Sequence, residues 1–348
     1  YMKYRLNKPR EQYLHLTADH YWFYTHNLVE TADAFCKNGG RYLFIDEVHK
    51  YPNWSVELKN IYDGYPQLRV AFSSSSALDI YRGEADLSRR VISYELPGLS
   101  FREFLVLRGL GDFEAYSWKD IVGKHVDISR DILQKLQPLP WFRKYLQYGY
   151  LPIFLESDVA EIPIRINQTI NTVIETDLSY AEAYTVATAI KIKKLLGVIA
   201  ESVPFKPNIS DLSRKLDTNR EYVYAWIQHL ENARLLNLLH VSGKGVSALQ
   251  KPDKIYLENS NLAYALRTNP DIGAIRETFL LNQLVNKKLN VALPASGDFL
   301  VNDTFIEVGG RGKTAQQVKK GGNYLVAADD METGIGSKVP LWLWGMMY

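Results

Sequence analysis

Four apolar residues, Tyr42 to Ile45, run straight into two acids, Asp46 and Glu47. A strand buried on both faces would hold the first acid rigidly at its carboxyl end, where its oxygens suit a hard divalent cation. The second acid, one residue on, is placed to orient or deprotonate a water molecule. Two solvated acids at an ordinary strand end are the competing reading of the same string. His49 follows the pair, and a run of four serines opens at Ser73. Cys36 is the only cysteine, which excludes an intramolecular disulfide and a multi-cysteine zinc site and suits a reducing cytoplasm.

Around these residues the elements alternate. Residues 12–19 read as a buried strand and residues 27–38 as a helix ended by Gly39 and Gly40. Residues 41–47 read as a buried parallel strand. Pro52 then opens a helix with Trp54, Leu58 and Ile61 on one side, and residues 68–72 form a second buried strand. A third strand is expected at 91–96. This order predicts an α/β domain with a parallel sheet. From Leu99 to about Gly197 the pattern turns helical, with a weak spot at Gly149 to Pro152. Residues 209–216 and 220–236 then read as two short helices, followed by a strand-like LLNLLHV, a GKG turn at 243–245, and KIYLEN. A helix at 277–287 and strands at FLV, FIEV, NYLVAA and PLWLWG complete a third, α/β part.

The 348 residues are 46% hydrophobic and 23% charged, which sets aside disorder, collagen and coiled coil for the whole. Forty-one basic against 39 acidic side chains leave +2, so no global field draws the chain to nucleic acid or membrane. No apolar run reaches the ~18 residues of a membrane span, and the opening residues carry no signal-peptide core.

The string LFIDEVHKYPNWSVELKNIYDGYPQLRVAFSSSS, with SRRVISYELPGLSFREFL after it, resembles a bacterial and archaeal branch of the AAA+ P-loop ATPases. The resemblance covers almost the whole chain and is most specific from Leu43 to Leu105. It implies ATP and Mg²⁺ as cofactors, with Asp46 the magnesium-organising acid and Glu47 the catalytic acid. Ser73 falls at the sensor position and Arg90 at an arginine-finger or γ-phosphate-sensing position. Ser73 as a strand-end cap, Arg90 or Arg89 in a surface ion pair, and His49 as a structural histidine are the bland alternatives. Relatives carry a phosphate loop ending in Gly-Lys-Thr, whose backbone N–H groups and lysine cradle the phosphates. No Gly-x₄-Gly-Lys-Ser/Thr string occurs here, and Gly243-Lys244 and Gly312-Lys313 lie in the wrong context. Tyr1 to Leu6 reads as the tail of a helix already under way. Truncation just after that loop is therefore favoured over loss, and the chain by itself is expected to be inactive.

The helix–turn–helix and hairpin at 201–258 are in winged-helix order. Residues 208–234 carry four basic and four acidic side chains, so a packing or protein-contact role is favoured over DNA binding. The end part resembles restriction-endonuclease-like folds. That resemblance makes Asp298 and Glu307 its two metal-binding acids and Glu277 an accessory acid. The usual lysine position is Gly309, and Lys313 would have to reach back from a glycine-rich loop, so a vestigial, inactive nuclease is expected. Four regions result: an ATPase core lacking its phosphate loop at 1–105, a helical region at 106–200, a winged helix at 201–258 and a nuclease-like domain at 259–348. The function expected is an ATP-hydrolysing cytoplasmic switch acting on an unknown protein partner, compatible with an oligomer and without a membrane role. A DNA-binding or DNA-cleaving protein and a non-catalytic scaffold are the alternatives.

Overall fold

The computed structural model describes residues 9–74, 87, 89–178, 184–241, 251–314 and 323–348. These divide into two compact units, one within 1–95 and 177–183, the other within 96–176 and 184–348. The expected helix at residues 1–6 and the GKG turn at 243–245 lie outside the described residues.

In the first unit β1 (Tyr13–Thr17), α1 (Leu28–Lys37), β2 (Tyr42–Asp46), α2 (Trp54–Gly64) and β3 (Arg69–Phe72) follow one another. The sheet order is β1-β2-β3 and both pairings are parallel, so β2 is the central strand. Leu43 and Ile45 on β2 are buried with Leu28, Ala32, Trp54, Leu58 and Ile61 from the two helices. Asn27 starts α1 through a capping box with Glu30, satisfying two donors that a helix end otherwise leaves open. Glu57 of α2 adds its carboxylate to the same end, accepting the N–H groups of Leu28 and Val29 at 2.8 and 3.2 Å. Tyr51 donates to the other oxygen of Glu57, and burial beside that carboxylate pushes the phenol up to about 12.

Two strand expectations fail here. Residues 91–96 are irregular, with Ile92, Tyr94 and Leu96 at 79, 89 and 97% exposure. Their alternation reports a strand-prone stretch, but a strand also needs a neighbour to pair with, which periodicity does not supply. Residues 68–72 do form β3, yet β3 is an edge strand with alternating exposed and half-buried residues rather than a buried one. Likewise β1, the other edge, is only half-buried.

The second unit opens with five helical segments: α3 (Phe101–Leu107), α4 (Trp118–Leu133), α5 (Pro138–Lys144), α6 (Ile162–Thr172) and α7 (Val186–Glu201). The weak spot is a π-helical turn, Tyr145–Gly149, that continues α5 and is followed by a 3₁₀ turn at Pro152–Leu155. Next come α8 (Ile209–Lys215) and α9 (Arg220–Asn232), then the antiparallel pair β4 (Leu236–Leu239) and β5 (Lys254–Leu257). The second helix stops four residues short of its expected end because Leu236 is already the first residue of β4. After α10 (Ser260–Leu266) and α11 (Ile272–Asn286) a mixed sheet forms from β6 (Val291–Ala292), β7 (Phe299–Val301), β8 (Thr304–Gly309), β9 (Asn323–Ala328) and β10 (Lys338–Pro340). Its order is β10-β9-β8-β7-β6, antiparallel from β6 to β8 and parallel from β8 to β10. The expected strand PLWLWG is instead a 3₁₀ turn, Leu341–Met346. All six of its residues are buried, so the run has no solvated face and needs no strand alternation.

An aromatic cluster packs α3 against the π turn and α11. Phe101, Phe104, Phe142, Tyr145 and Phe279 meet edge to face at 4.8–5.9 Å between centroids, each contact worth about 0.5–1.5 kcal/mol beyond area burial. Asn261 closes the π turn. Its amide donates to the carbonyls of Tyr145 and Leu146 and its oxygen accepts from the N–H of Tyr150. Next to it Glu258 is fully buried and accepts from Tyr150 Oη at 2.6 Å, Asn259 Nδ2 at 2.6 Å and Asn282 Nδ2 at 2.9 Å. Gly98 lets the Tyr150 ring approach, since a Cβ there would lie 2.3 Å from it.

Burial raises the Glu258 carboxyl above its ordinary range, against the lowering pull of its hydrogen bonds. The folded chain therefore holds a proton that the unfolded chain releases, and this group's contribution to stability falls as pH rises from about 4.5 through the raised value. Glu258→Gln is expected to flatten that dependence, costing less at pH 8 than at pH 5 in urea unfolding. An equal cost at both values would place the buried charge elsewhere.

Candidate functional site

The three parallel strands of the first unit end level. Thr17 is in register with Asp46, the N–H of Ala18 donates to the Asp46 carbonyl at 2.8 Å, and Ser73 N donates to Ile45 O at 2.9 Å. The carboxyl edge of an open parallel sheet is where α/β proteins hold ligands. Asp46 is half-buried there and accepts from the Ser73 hydroxyl. Glu47 has left-handed backbone, φ 53° and ψ 41°, which costs a residue with a Cβ about 1–2 kcal/mol. The strain is held in place by Val48 N, which donates to Ser73 O at 2.9 Å. The left-handed step breaks the strand's alternation and turns the second acid away from its neighbour.

Beyond Glu47 lie groups that the sequence reading missed. Lys50 Nζ stands 3.3 Å from Glu47 Oε2 and 3.3 Å from Asp19 Oδ2. Burial works against the Lys50 ammonium, but its hydrogen bonds to Glu47 and Asp19 hold it above its usual range. Asp19 takes the Thr17 hydroxyl at 2.6 Å and is held below the usual carboxylate range by that bond and by Lys50. The Glu47-to-Lys50 spacing of three residues was a legible signal; the Asp19 link spans 31 residues and was not. His49 is buried at 4% exposure, its Nδ1 2.8 Å from Ser74 Oγ and its Nε2 3.8 Å from Glu47 Oε2.

Asp46 and Ser73 are thus brought together, with Glu47 next to them on the chain and its carboxylate toward Lys50 and His49. Arg90 stands apart from them. It makes a two-pronged contact with Asp63 of α2 at 3.0 and 3.1 Å, which holds the Asp63 carboxyl down and the guanidinium up. Arg89 is exposed, with left-handed backbone.

The end-domain acids also converge. Asp298, just before β7, accepts the N–H of Val308 on β8 at 2.8 Å. Glu307 on β8 is buried; its Oε2 lies 3.0 Å from Lys313 Nζ, and its Oε1 has no hydrogen-bond partner. Lys313 therefore does reach back, and Gly309 is what lets it. A Cβ at 309 would sit 2.8 Å from Cβ and Cγ of Lys313. Glu307, with Asp298 and Glu277 behind it, raises the Lys313 ammonium above its usual range. Glu277 on α11 is itself raised by burial and by the charge of Asp298, while accepting from Tyr256 Oη at 2.8 Å. Among the described residues no three His, Cys, Asp or Glu side chains gather closely enough to hold a metal ion by themselves. An oxygen site for Mg²⁺ need not be so complete, because one or two carboxylates suffice when phosphate oxygens and water fill the remaining positions.

Comparison with known proteins bears on the first unit. Residues 1–105 match the family model of an AAA domain. That match supports an AAA-like P-loop ATPase relationship for this part of the chain, with its parallel sheet and flanking helices. Residues 139–272 match a domain of unknown function. An uncharacterized protein of Methanocaldococcus jannaschii is 27% identical over 216 residues, covering 61% of this chain and 45% of that protein, so the chain spans less than half of its relative's length. No solved structure matches. No helix among the described residues is long and apolar enough to cross a membrane.

Gly309 and Gly310 are not at positive φ, so conformational freedom is not what they supply. At 309 the requirement is room for the lysine stem. Gly309→Ala is expected to cost about 1–2 kcal/mol by overpacking and to cost less in a Lys313→Ala background. A double-mutant cycle in urea measures the difference, and additive costs would remove the contact as the cause.

Proposed function

We propose that this chain carries the hydrolytic half of an ATP-driven AAA-type switch. The observation that carries the reading is the meeting of Asp46, Glu47 and Ser73 at the carboxyl edge of the parallel sheet in the segment that matches an AAA domain. The donor set fits Mg²⁺ bound with nucleotide: one half-buried carboxylate and a hydroxyl, all oxygen, leaving the remaining positions to phosphate and water. Bound Mg²⁺ would neutralise charge on the phosphates. Asp46 would hold that ion's water shell, Glu47 would accept a proton from the attacking water, and Ser73 would fix Asp46 and sense the terminal phosphate. Arg90 would serve as a finger only after leaving Asp63. No Gly-x₄-Gly-Lys-Ser/Thr string occurs in residues 1–348, so this reading requires a phosphate cradle that these residues do not show.

Movement at this edge would be passed to a protein partner through the winged-helix and end regions. Arg214 and Lys215 of α8 both pair with Asp211, at 2.7 and 3.0 Å. Basic side chains already matched by an acid release fewer counterions from DNA, which favours protein over nucleic acid as the partner.

Residues 1–348 alone should bind ATP weakly; micromolar affinity by titration calorimetry would overturn the missing-cradle argument. In a protein that joins a Gly-Lys-Thr phosphate loop to these residues, Glu47→Gln should retain ATP and lose at least ~100-fold in turnover. Asp46→Ala should weaken the magnesium-dependent part of binding. Parental turnover in Glu47→Gln would remove Glu47 from the water-positioning role.

A second reading rests on Lys313. A lysine seated against a buried acid, with Asp298 and Glu277 beside it, resembles the acid-and-cation set of a phosphodiester-cleaving centre more closely than the vestigial site expected from Gly309. Plasmid and single-strand DNA digestion with Mg²⁺ or Mn²⁺ tests it. Cleavage lost in both Glu307→Ala and Lys313→Ala would establish a nuclease; no cleavage by the parent would leave the cluster a structural one.

A further inference from the structure

We propose that His49 is a positioning residue that ties the sensor strand to the water-activating acid; this rests on the ATPase reading above. His49 is one of the few buried ionisable side chains of the first unit, and both of its ring nitrogens face functional neighbours. Nδ1 lies 2.8 Å from the hydroxyl of Ser74, the residue after the candidate sensor Ser73. Nε2 lies 3.8 Å from Oε2 of Glu47. The hydrogen bond made by one ring nitrogen fixes which tautomer the other presents. With the Ser74 hydroxyl donating to Nδ1, the ring proton sits on Nε2 and points at the Glu47 carboxylate.

The ring thereby does two things. It aims an N–H at Glu47 Oε2 from 3.8 Å, just beyond hydrogen-bond range, while Lys50 Nζ stands 3.3 Å from the same oxygen. It also makes the direction of that partner depend on where the end of β3 lies. The backbone adds a second link, because Val48 N donates to Ser73 O at 2.9 Å and so ties the acid-bearing loop to the end of β3. A shift of Ser73 toward a terminal phosphate would carry Ser74, rotate the imidazole and bring its N–H within hydrogen-bond range of Glu47. The acid would then gain its imidazole partner when the terminal phosphate is present.

Three substitutions separate this role from simple packing. His49→Phe fills the same space without either polar contact. His49→Gln can accept from Ser74 and donate toward Glu47. Ser74→Ala removes the hydroxyl that sets the tautomer. In the protein that joins a Gly-Lys-Thr phosphate loop to these residues, His49→Phe and Ser74→Ala should lower kcat at least tenfold with KM for ATP within twofold and an unchanged melting midpoint. His49→Gln should stay within about threefold of the parent. Equal losses in His49→Phe and His49→Gln, or parental kcat in His49→Phe, overturn the proposal while leaving the ATPase reading to Glu47→Gln. If the parent itself fails to hydrolyse ATP, both fall together. A direct check uses residues 1–348 as they are: ¹⁵N NMR of the imidazoles, with His49 assigned by its disappearance in His49→Gln. A proton on Nε2 is expected, and a proton on Nδ1 overturns the relay.

Discussion

One buried carboxylate organises the larger unit. Glu258 sits at the end of β5 with its oxygens satisfied by Tyr150, Asn259 and Asn282, while its backbone carbonyl accepts from Asn237 of β4 and again from Asn282 of α11. A carboxyl group in such a place needs donors for its oxygens, and burial favours its protonated form, because a bare charge there would cost several kcal/mol in desolvation. The donors come from four separate stretches of chain, so meeting that requirement fixes those stretches relative to one another. The π-helical turn, the strand pair, α11 and the residues around Gly98 are joined through it. Tyr348 extends the same network: its hydroxyl accepts from Asn286 and Gln283, and its carbonyl accepts from Ser100 and Arg102 at the start of α3.

The smaller unit relies on level strand ends. Parallel pairing sets Thr17 beside Asp46, and the backbone bonds from Ala18, Ser73 and Val48 close the edge around the acids. Rigid pairing behind and a left-handed residue at the tip give two adjacent acids two different environments. Asp46 faces a hydroxyl, whereas Glu47 faces a lysine and an imidazole. Chemistry that needs one acid for a cation and one for a proton requires this kind of separation.

Gly309 and Lys313 show how a site can be built by trade between positions. Gly309, two residues beyond Glu307 on the strand, carries no side chain, and Lys313, four residues further on, reaches back across the gap. The cation is present although the linear pattern that would announce it is not. Distance in sequence and distance in space part company here because a lysine's four-carbon stem can span a turn, provided the strand beneath it is bare.

The sequence by itself determined the elements whose signals are local. The Gly39-Gly40 stop announced the end of α1, Trp54, Leu58 and Ile61 announced α2, and the apolar run into Asp46 and Glu47 announced the strand and its two acids. The pairing of Asp298 with Glu307 came only from a resemblance to restriction-endonuclease-like folds, not from a local pattern. Tertiary structure alone decided what depends on neighbours. Residues 91–96 alternate like a strand yet are irregular, and PLWLWG is apolar throughout because it is enclosed on every side. The Asp19–Lys50–Glu47 chain and the four-segment network around Glu258 join residues tens to more than a hundred positions apart. No local pattern encodes such meetings; they follow from which surfaces the folded chain presses together and which buried charges then demand partners.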